Sequence, residues 1–321
     1  MRSGARLSDA GAATREAGIA FPAEGLLLLS VVIWSINFSA VKYGVGEMAP
    51  LAYSAVRFGA GALGMLAFLR WREGGVAVRR SDLGLLLAAA LFGITLNQVC
   101  FVFALANTTA ANTALLLGTS PIFTALLAAL SGQERIGVRH WTSVAVGMAG
   151  VLLIVEGAAE VPGGHGTLLG DLLALGTAVT WAAYSVLIRP LMERYSAYRV
   201  STFMMLAGTA MLVPFAVPSL ATQDFGRVPL PAWGALAYST IFAVALTNIL
   251  YFTGIHRVGA ARAAVFMYLE SFLGVLFAAL LLGERVTVVQ LAGGLVVTGG
   301  VVVGRRGTAL RRLPVPVEPG T

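Results

Sequence analysis

Charge is scarce in this chain. Only 12% of its 321 residues are Asp, Glu, Lys or Arg, and lysine occurs once, at Lys42. Soluble domains carry roughly 25% charged residues, so an ordinary water-soluble fold is excluded. Cysteine also occurs once, as Cys100 in an apolar run, which excludes an intrachain disulfide and marks it as a small packing residue. The three histidines, His140, His165 and His256, stand in loops or at helix ends, and there is no HExxH, P-loop or GxSxG. A zinc hydrolase, a nucleotide-driven motor and a serine hydrolase therefore find no support. No cofactor is expected, and an ATP-driven pump would need a partner to carry the nucleotide site.

What the chain has instead is hydrophobicity: 58% of residues are hydrophobic and the mean hydropathy is +0.84. A bilayer core of about 30 Å takes about 20 helical residues. Ten apolar spans meet that requirement within a few residues, at roughly 24–44, 50–71, 82–104, 109–131, 139–156, 168–189, 199–219, 232–254, 260–282 and 286–304. The expected fold is an all-α membrane protein with ten transmembrane helices. A pI near 10.1 could suggest nucleic acid, but the bases sit between spans, where they orient membrane helices. With the N terminus in the cytoplasm, all 22 Arg and Lys except Lys42, Arg57, Arg227 and Arg285 fall on the cytoplasmic side. Both termini are thus expected to be cytoplasmic, residues 1–23 and 305–321 forming polar tails. No nucleic-acid partner is expected.

The chain contains one segment twice. Ala260 to Val286 repeats Ala110 to Ile136 at an offset of 150 positions, with Ala110, Ala111, Ala114, Leu126, Ala128, Ala129, Leu130, Glu134 and Arg135 recurring as Ala260, Ala261, Ala264, Leu276, Ala278, Ala279, Leu280, Glu284 and Arg285. Trp34, Asn37 and Lys42 similarly match Trp181, Tyr184 and Arg189. The expected organisation is a five-helix repeat at 24–156, a Gly-rich linker at 157–167 and a second repeat at 168–304. Five is odd, so the second copy must enter the membrane from the opposite side. Inverted repeats of this kind place a binding site at their interface near the midplane.

These residues resemble the EamA type of the drug/metabolite transporter superfamily. The likeness rests on W-S-I-N-F-S-A-V-K from Trp34, the intramembrane Arg57, S-P with a downstream E-R in span four, G-D and then W-A-A-Y from Gly170 in span six, and L-E-S ending in L-G-E-R in span nine. It implies a ten-helix inverted-repeat carrier of the bacterial inner membrane, similar to exporters of aromatic amino acids, moving amino acids, metabolites or drugs. Family members usually have L-E-P where this chain has Ser271 after Glu270, so a proline kink in span nine is expected to be missing.

Glu270 is the acidic residue deep in an apolar span, a costly placement unless the carboxylate is paired or wet. It could bind a substrate ammonium or take up a proton as coupling ion; a fixed ion pair or a protonated, hydrogen-bonded carboxyl is the structural alternative. Arg57 could hold a carboxylate through two parallel hydrogen bonds or brace neighbouring helices. Lys42, close to a span end, suits interfacial anchoring. At the offset of 150, Asn97, Gln98 and Phe101 align with Thr247, Asn248 and Tyr251. Each set puts a hydrogen-bonding residue three positions before an aromatic, on one helical face. They serve either as a polar and aromatic lining for a small solute or as interhelical glue. Trp34, Asn37, Trp181 and Tyr184 are open to the same two readings, and Trp near span ends also forms interfacial belts. Pro121 in span four and Pro214 in span seven each remove a helix hydrogen bond and favour a bend. The expected partners are a small-molecule substrate and the bilayer, the expected assembly a monomer or homodimer, and an intramembrane enzyme the least favoured class.

Overall fold

The computed structural model describes residues 22–75, 77–132, 138–159, 167–258 and 260–305. The expected tails, most of the linker and the Glu134-Arg135 pair lie outside the described residues. Helices account for nearly all of the rest, and no strand occurs among them. They form ten rods in chain order: α1 Ala23–Glu47, α2 Pro50–Glu73, α3 Arg80–Asn107, α4 Ala110–Leu130, α5 Val138–Ala159, α6 Leu168–Met192, α7 Ala197–Thr222, α8 from Leu230–Tyr238 through Ser239–Leu246 into Thr247–Val258, α9 Ala260–Leu282 and α10 Val288–Arg305. Seven are long and apolar enough to cross a membrane; α5, α9 and α10 carry the shorter apolar stretches Val144–Ala158, Leu269–Leu282 and Val288–Gly300. The protein is a multi-pass membrane protein.

Local chemistry sets the helix ends. Thr109, Thr167 and Ser196 accept hydrogen bonds from the amides of Asn112, Gly170 and Arg199, capping α4, α6 and α7. Gly74 closes α2 in the left-handed conformation, at φ 67°.

Large apolar side chains face outward on many rods, among them Leu63, Leu152, Phe215, Leu280 and Leu295, each more than 60% exposed. In water such a surface would aggregate; against lipid it costs nothing. The interior mixes Leu, Val, Met and Phe side chains with small and buried polar residues, and small residues let membrane helices approach closely. The closest approach is between α5 and α10. A Cβ added at Gly150 would stand 2.7 Å from the Gly293 carbonyl oxygen, and one at Gly293 would stand 2.7 Å from that of Gly150. Backbone cannot swing aside, so Gly150→Val should force the two helices apart. A loss of about 1–3 kcal/mol is expected, read as a lower melting temperature in detergent; an unchanged melting temperature would show that the pair is looser than this geometry.

Hydrogen bonds define the two ends of the bundle. At the end where α1 finishes (the far end), the α3–α4 turn meets α1, α6 and the α9–α10 loop. At the end where α1 begins (the near end), Glu73 of α2 and Asp82 of α3 meet the α6–α7 turn. α1 and α9 run in the same direction, since Ser35 bonds at the level of Glu270 and Phe38 packs at the level of Gly274.

Candidate functional site

Glu270 is placed by its neighbours along α9. One turn toward the far end, Gly274 lies on the same helical face, and a Cβ there would meet the Cβ of Ala114 at 2.7 Å and the Phe38 ring at 3.2 Å. That face therefore looks into the bundle, toward α1 and α4. The hydroxyl of Ser35 donates to the backbone carbonyl of Glu270 at 3.1 Å. Trp34 is one turn below Phe38 on α1, as Glu270 is one turn below Gly274 on α9, so the two face the same internal level. Glu270 is half-buried. Among the described residues no side chain hydrogen-bonds or ion-pairs its carboxylate.

Aromatic rings gather at this level. Trp34 and Tyr251 meet edge to face with centroids 5.0 Å apart, and the Trp34 indole N–H donates to the carbonyl of Ala243 at 2.9 Å. Tyr184 meets Trp181 at 5.1 Å and packs on Gly93. Trp34, Tyr184, Tyr251 and Asn248 keep part of their surface open, while Trp181 stands at the exposed margin. The Asn248 amide donates to the carbonyl of Val244 one turn back.

Two stretches of π-helix, Leu91–Leu96 in α3 and Ser239–Leu246 in α8, occupy matching places in the two repeats. Widened turns of this sort are concentrated at functional sites. They immediately precede Asn97-Gln98 and Thr247-Asn248. Nothing in LFGITL or STIFAVAL announces them, because neither contains proline and the only glycine is Gly93.

Nearer the far end, a chain of hydrogen bonds crosses the interior. Ser239 donates to Asn37 and accepts from Nη1 of Arg57 at 2.8 Å; Nη2 of Arg57 donates to Gln98. The Gln98 amide donates to Asn97 at 3.1 Å, and Asn97 donates to the carbonyl of Thr177 and the hydroxyl of Thr180 at 3.0 and 3.1 Å. Five helices, α1, α2, α3, α6 and α8, are tied by this belt. Arg57 is 2% exposed and ringed by Phe58, Tyr53 and Phe101 at 4.8, 5.8 and 6.0 Å from their centroids. Its bracing role is the one visible here, and the polar atoms of Asn97 and Gln98 are committed to neighbouring helices. Phe101 is buried against Phe38.

Lys42 stands at the far end of the bundle. Its ammonium donates to the carbonyls of Leu105 and Thr108 at 2.7 and 2.8 Å, capping the C-terminal end of α3, where a cation suits the helix dipole. Beside it, the Glu284 carboxylate accepts from the amides of Ala110 and Ala111 at 2.8 and 2.9 Å, closing the N-terminal end of α4. Buried Asp171 accepts from Thr108 at 2.8 Å and from Asn112. Glu284→Ala would leave two α4 amides unmet, and a loss of about 1–2 kcal/mol is expected. Glu284→Gln, which keeps an acceptor, should lose less; equal melting temperatures for the Ala variant and the native protein would refute the cap.

α4 breaks between Leu117 and Ser120, just before Pro121, whereas α9 runs unbroken through the matching Glu270 and Ser271. The missing proline thus has the expected effect. A Cβ on Gly118, in the break, would lie 3.0 Å from the Ser271 hydroxyl, so the broken helix faces the intact one. Pro214 does not interrupt α7, which continues as α-helix past it and Pro218; the fixed φ of proline is itself helical, and only one hydrogen bond is lost at each.

Comparison with known proteins rests on this framework. The EamA-like transporter family matches residues 22–156 and again 168–304. The chain belongs to that family. Among its relatives, an uncharacterized transporter of Archaeoglobus fulgidus is 28% identical over 86% of this chain and 94% of its own. A probable amino-acid metabolite efflux pump of Escherichia coli is 28% identical over 89% and 96%, and a probable terminal-alkyne amino-acid exporter of Streptantibioticus cattleyicolor is 27% identical over 89% and 94%. A solved crystal structure superposes with a TM-score of 0.62 at 20% identity, covering 88% of this chain and 98% of that one, which shows a shared fold. EamA proteins are transporters, and this chain is a transporter of that family.

Proposed function

We propose that this EamA protein is a secondary carrier of the bacterial inner membrane that exports amino acids, aromatic or neutral, or related small metabolites. In this reading the chain crosses ten times as two inverted five-helix repeats, with both termini cytoplasmic, and works as a monomer or homodimer. The observation that carries the proposal is the Glu270 carboxylate, which has no side-chain partner among the described residues and stands at the level of the Trp34 and Tyr251 rings, in a bundle whose two ends are each tied by polar contacts between the repeats. Polar ties at either end that can break separately suit alternating access. The broken α4 opposite Glu270 supplies the discontinuous helix such sites use. Relatives named as amino-acid exporters support the substrate class. Protons serve as the coupling ion, with Glu270 as the group that carries them.

Purified protein in liposomes, offered a panel of labelled amino acids, sugars and nucleotide sugars with and without a pH gradient and without ATP, tests this reading. Flux of aromatic or neutral amino acids that rises with the gradient is expected. Flux confined to sugars or nucleotide sugars would overturn the substrate class, and no flux of any solute would overturn the carrier.

A further inference from the structure

The two bases that sequence alone offers for binding an anion are both spent on the fold. Lys42 is fastened to the Leu105 and Thr108 carbonyls at the far end. Arg57 has Nη1 on Ser239 and Nη2 on Gln98 and three aromatic rings around it, and its one unpartnered donor, Nε, is buried. Arg189, beyond Tyr184 toward the near end, is itself engaged. The polar atoms of Asn97 and Gln98 are likewise taken. Among the described residues at this level, the Glu270 carboxylate is left without a side-chain partner, beside the aromatic rings of Trp34 and Tyr251.

We infer that the Glu270 site selects its solute by an ammonium group, so that a primary amine on an aromatic or apolar body is a full ligand and a substrate carboxylate is dispensable. Rings carry negative charge on their faces and attract cations. Trp34 and Tyr251, held at an angle to one another, stand at the level of the carboxylate, since Ser35, next to Trp34, bonds the Glu270 backbone. An ammonium there satisfies a charge that has no protein partner among the described residues. A carboxylate in the same place would meet Glu270 with like charge, while Lys42, Arg57 and Arg189 are already engaged elsewhere. The inference deepens the amino-acid carrier reading and rests on it for its transport consequence, since an amino acid would be held by its amine end.

Calorimetric binding to the full chain in detergent tests it with four probes: 2-phenylethylamine, phenylalanine, 3-phenylpropionate and N-acetylphenylalanine. Phenylethylamine should bind at least as tightly as phenylalanine, and the two probes lacking an ammonium at least tenfold more weakly. Glu270→Gln should weaken phenylethylamine at least tenfold. Should that variant fail to fold, the comparison of probes on the native protein stands by itself. Phenylpropionate or N-acetylphenylalanine binding as tightly as phenylethylamine, absence of amine binding, or an unchanged amine affinity in folded Glu270→Gln would each overturn the inference. Amine binding without flux in liposomes would instead sink the carrier reading and leave the recognition intact.

Discussion

Arg57→Ala should unfold the bundle more readily than any other single change considered above. The guanidinium links α2 to α3 and α8, and through Gln98 and Ser239 it holds Asn97 and Asn37 in a continuous belt. Truncation strands the buried oxygen of Gln98, leaves Ser239 with its bond to Asn37 alone and opens a void among Tyr53, Phe58 and Phe101. Unmet buried polar groups cost about 1–3 kcal/mol each, and a large side chain lost from a packed interior costs about 2–5 kcal/mol. A combined loss of about 3–5 kcal/mol is expected, seen as a fall of many degrees in melting temperature. Arg57→Lys should recover little of it, because one ammonium cannot reproduce the fork that reaches Gln98 and Ser239 together. A Lys variant as stable as the native protein would mean that charge alone, and not the belt, matters at this position.

Glu270→Gln should leave the fold nearly intact and remove most of the transport. The carboxylate makes no bond to the described side chains, and its structural tie to α1 runs through the backbone carbonyl, which the substitution keeps. Stability is therefore expected to change by less than about 1 kcal/mol, since the near-isosteric amide opens no cavity and strands no partner. Flux depends on the charge itself. Losing one partner of a desolvated charge pair costs about 2–5 kcal/mol, a reduction of roughly 30-fold or more in uptake at limiting substrate, since each 1.4 kcal/mol is a factor of ten. Stimulation by an imposed proton gradient should vanish with it. Native flux in a folded Gln variant would remove Glu270 from both binding and coupling.

The repeat, the order of the apolar helices and the interior place of Glu270 were legible because they rest on local patterns: apolar runs of bilayer length, residues recurring at a fixed offset, and one acid where acids are costly. The contrast between Pro121 and Ser271 could likewise be read directly, since the effect of proline on its own helix is local. The duties of Asn97, Gln98 and Lys42 were not. Each has polar atoms that would suit a solute equally well, and their commitment to Thr177, Thr180, Arg57 and the end of α3 depends on residues distant in sequence that only folding brings near. The π-helical stretches escaped for a similar reason, being imposed by packing within the bundle on segments whose composition suits an ordinary helix.

The pairing of α5 with α10 bears on how the chain is made. Each is the final helix of its own repeat, yet each finds its tightest neighbour in the other repeat, where Gly150 meets Gly293. During synthesis α5 enters the bilayer while its partner is still unmade. Its glycine face must wait in lipid, which small residues tolerate without penalty, until α10 arrives. The α5–α10 contact can thus form only after α10 is made, and a chain cut short before α10 would leave both halves without it.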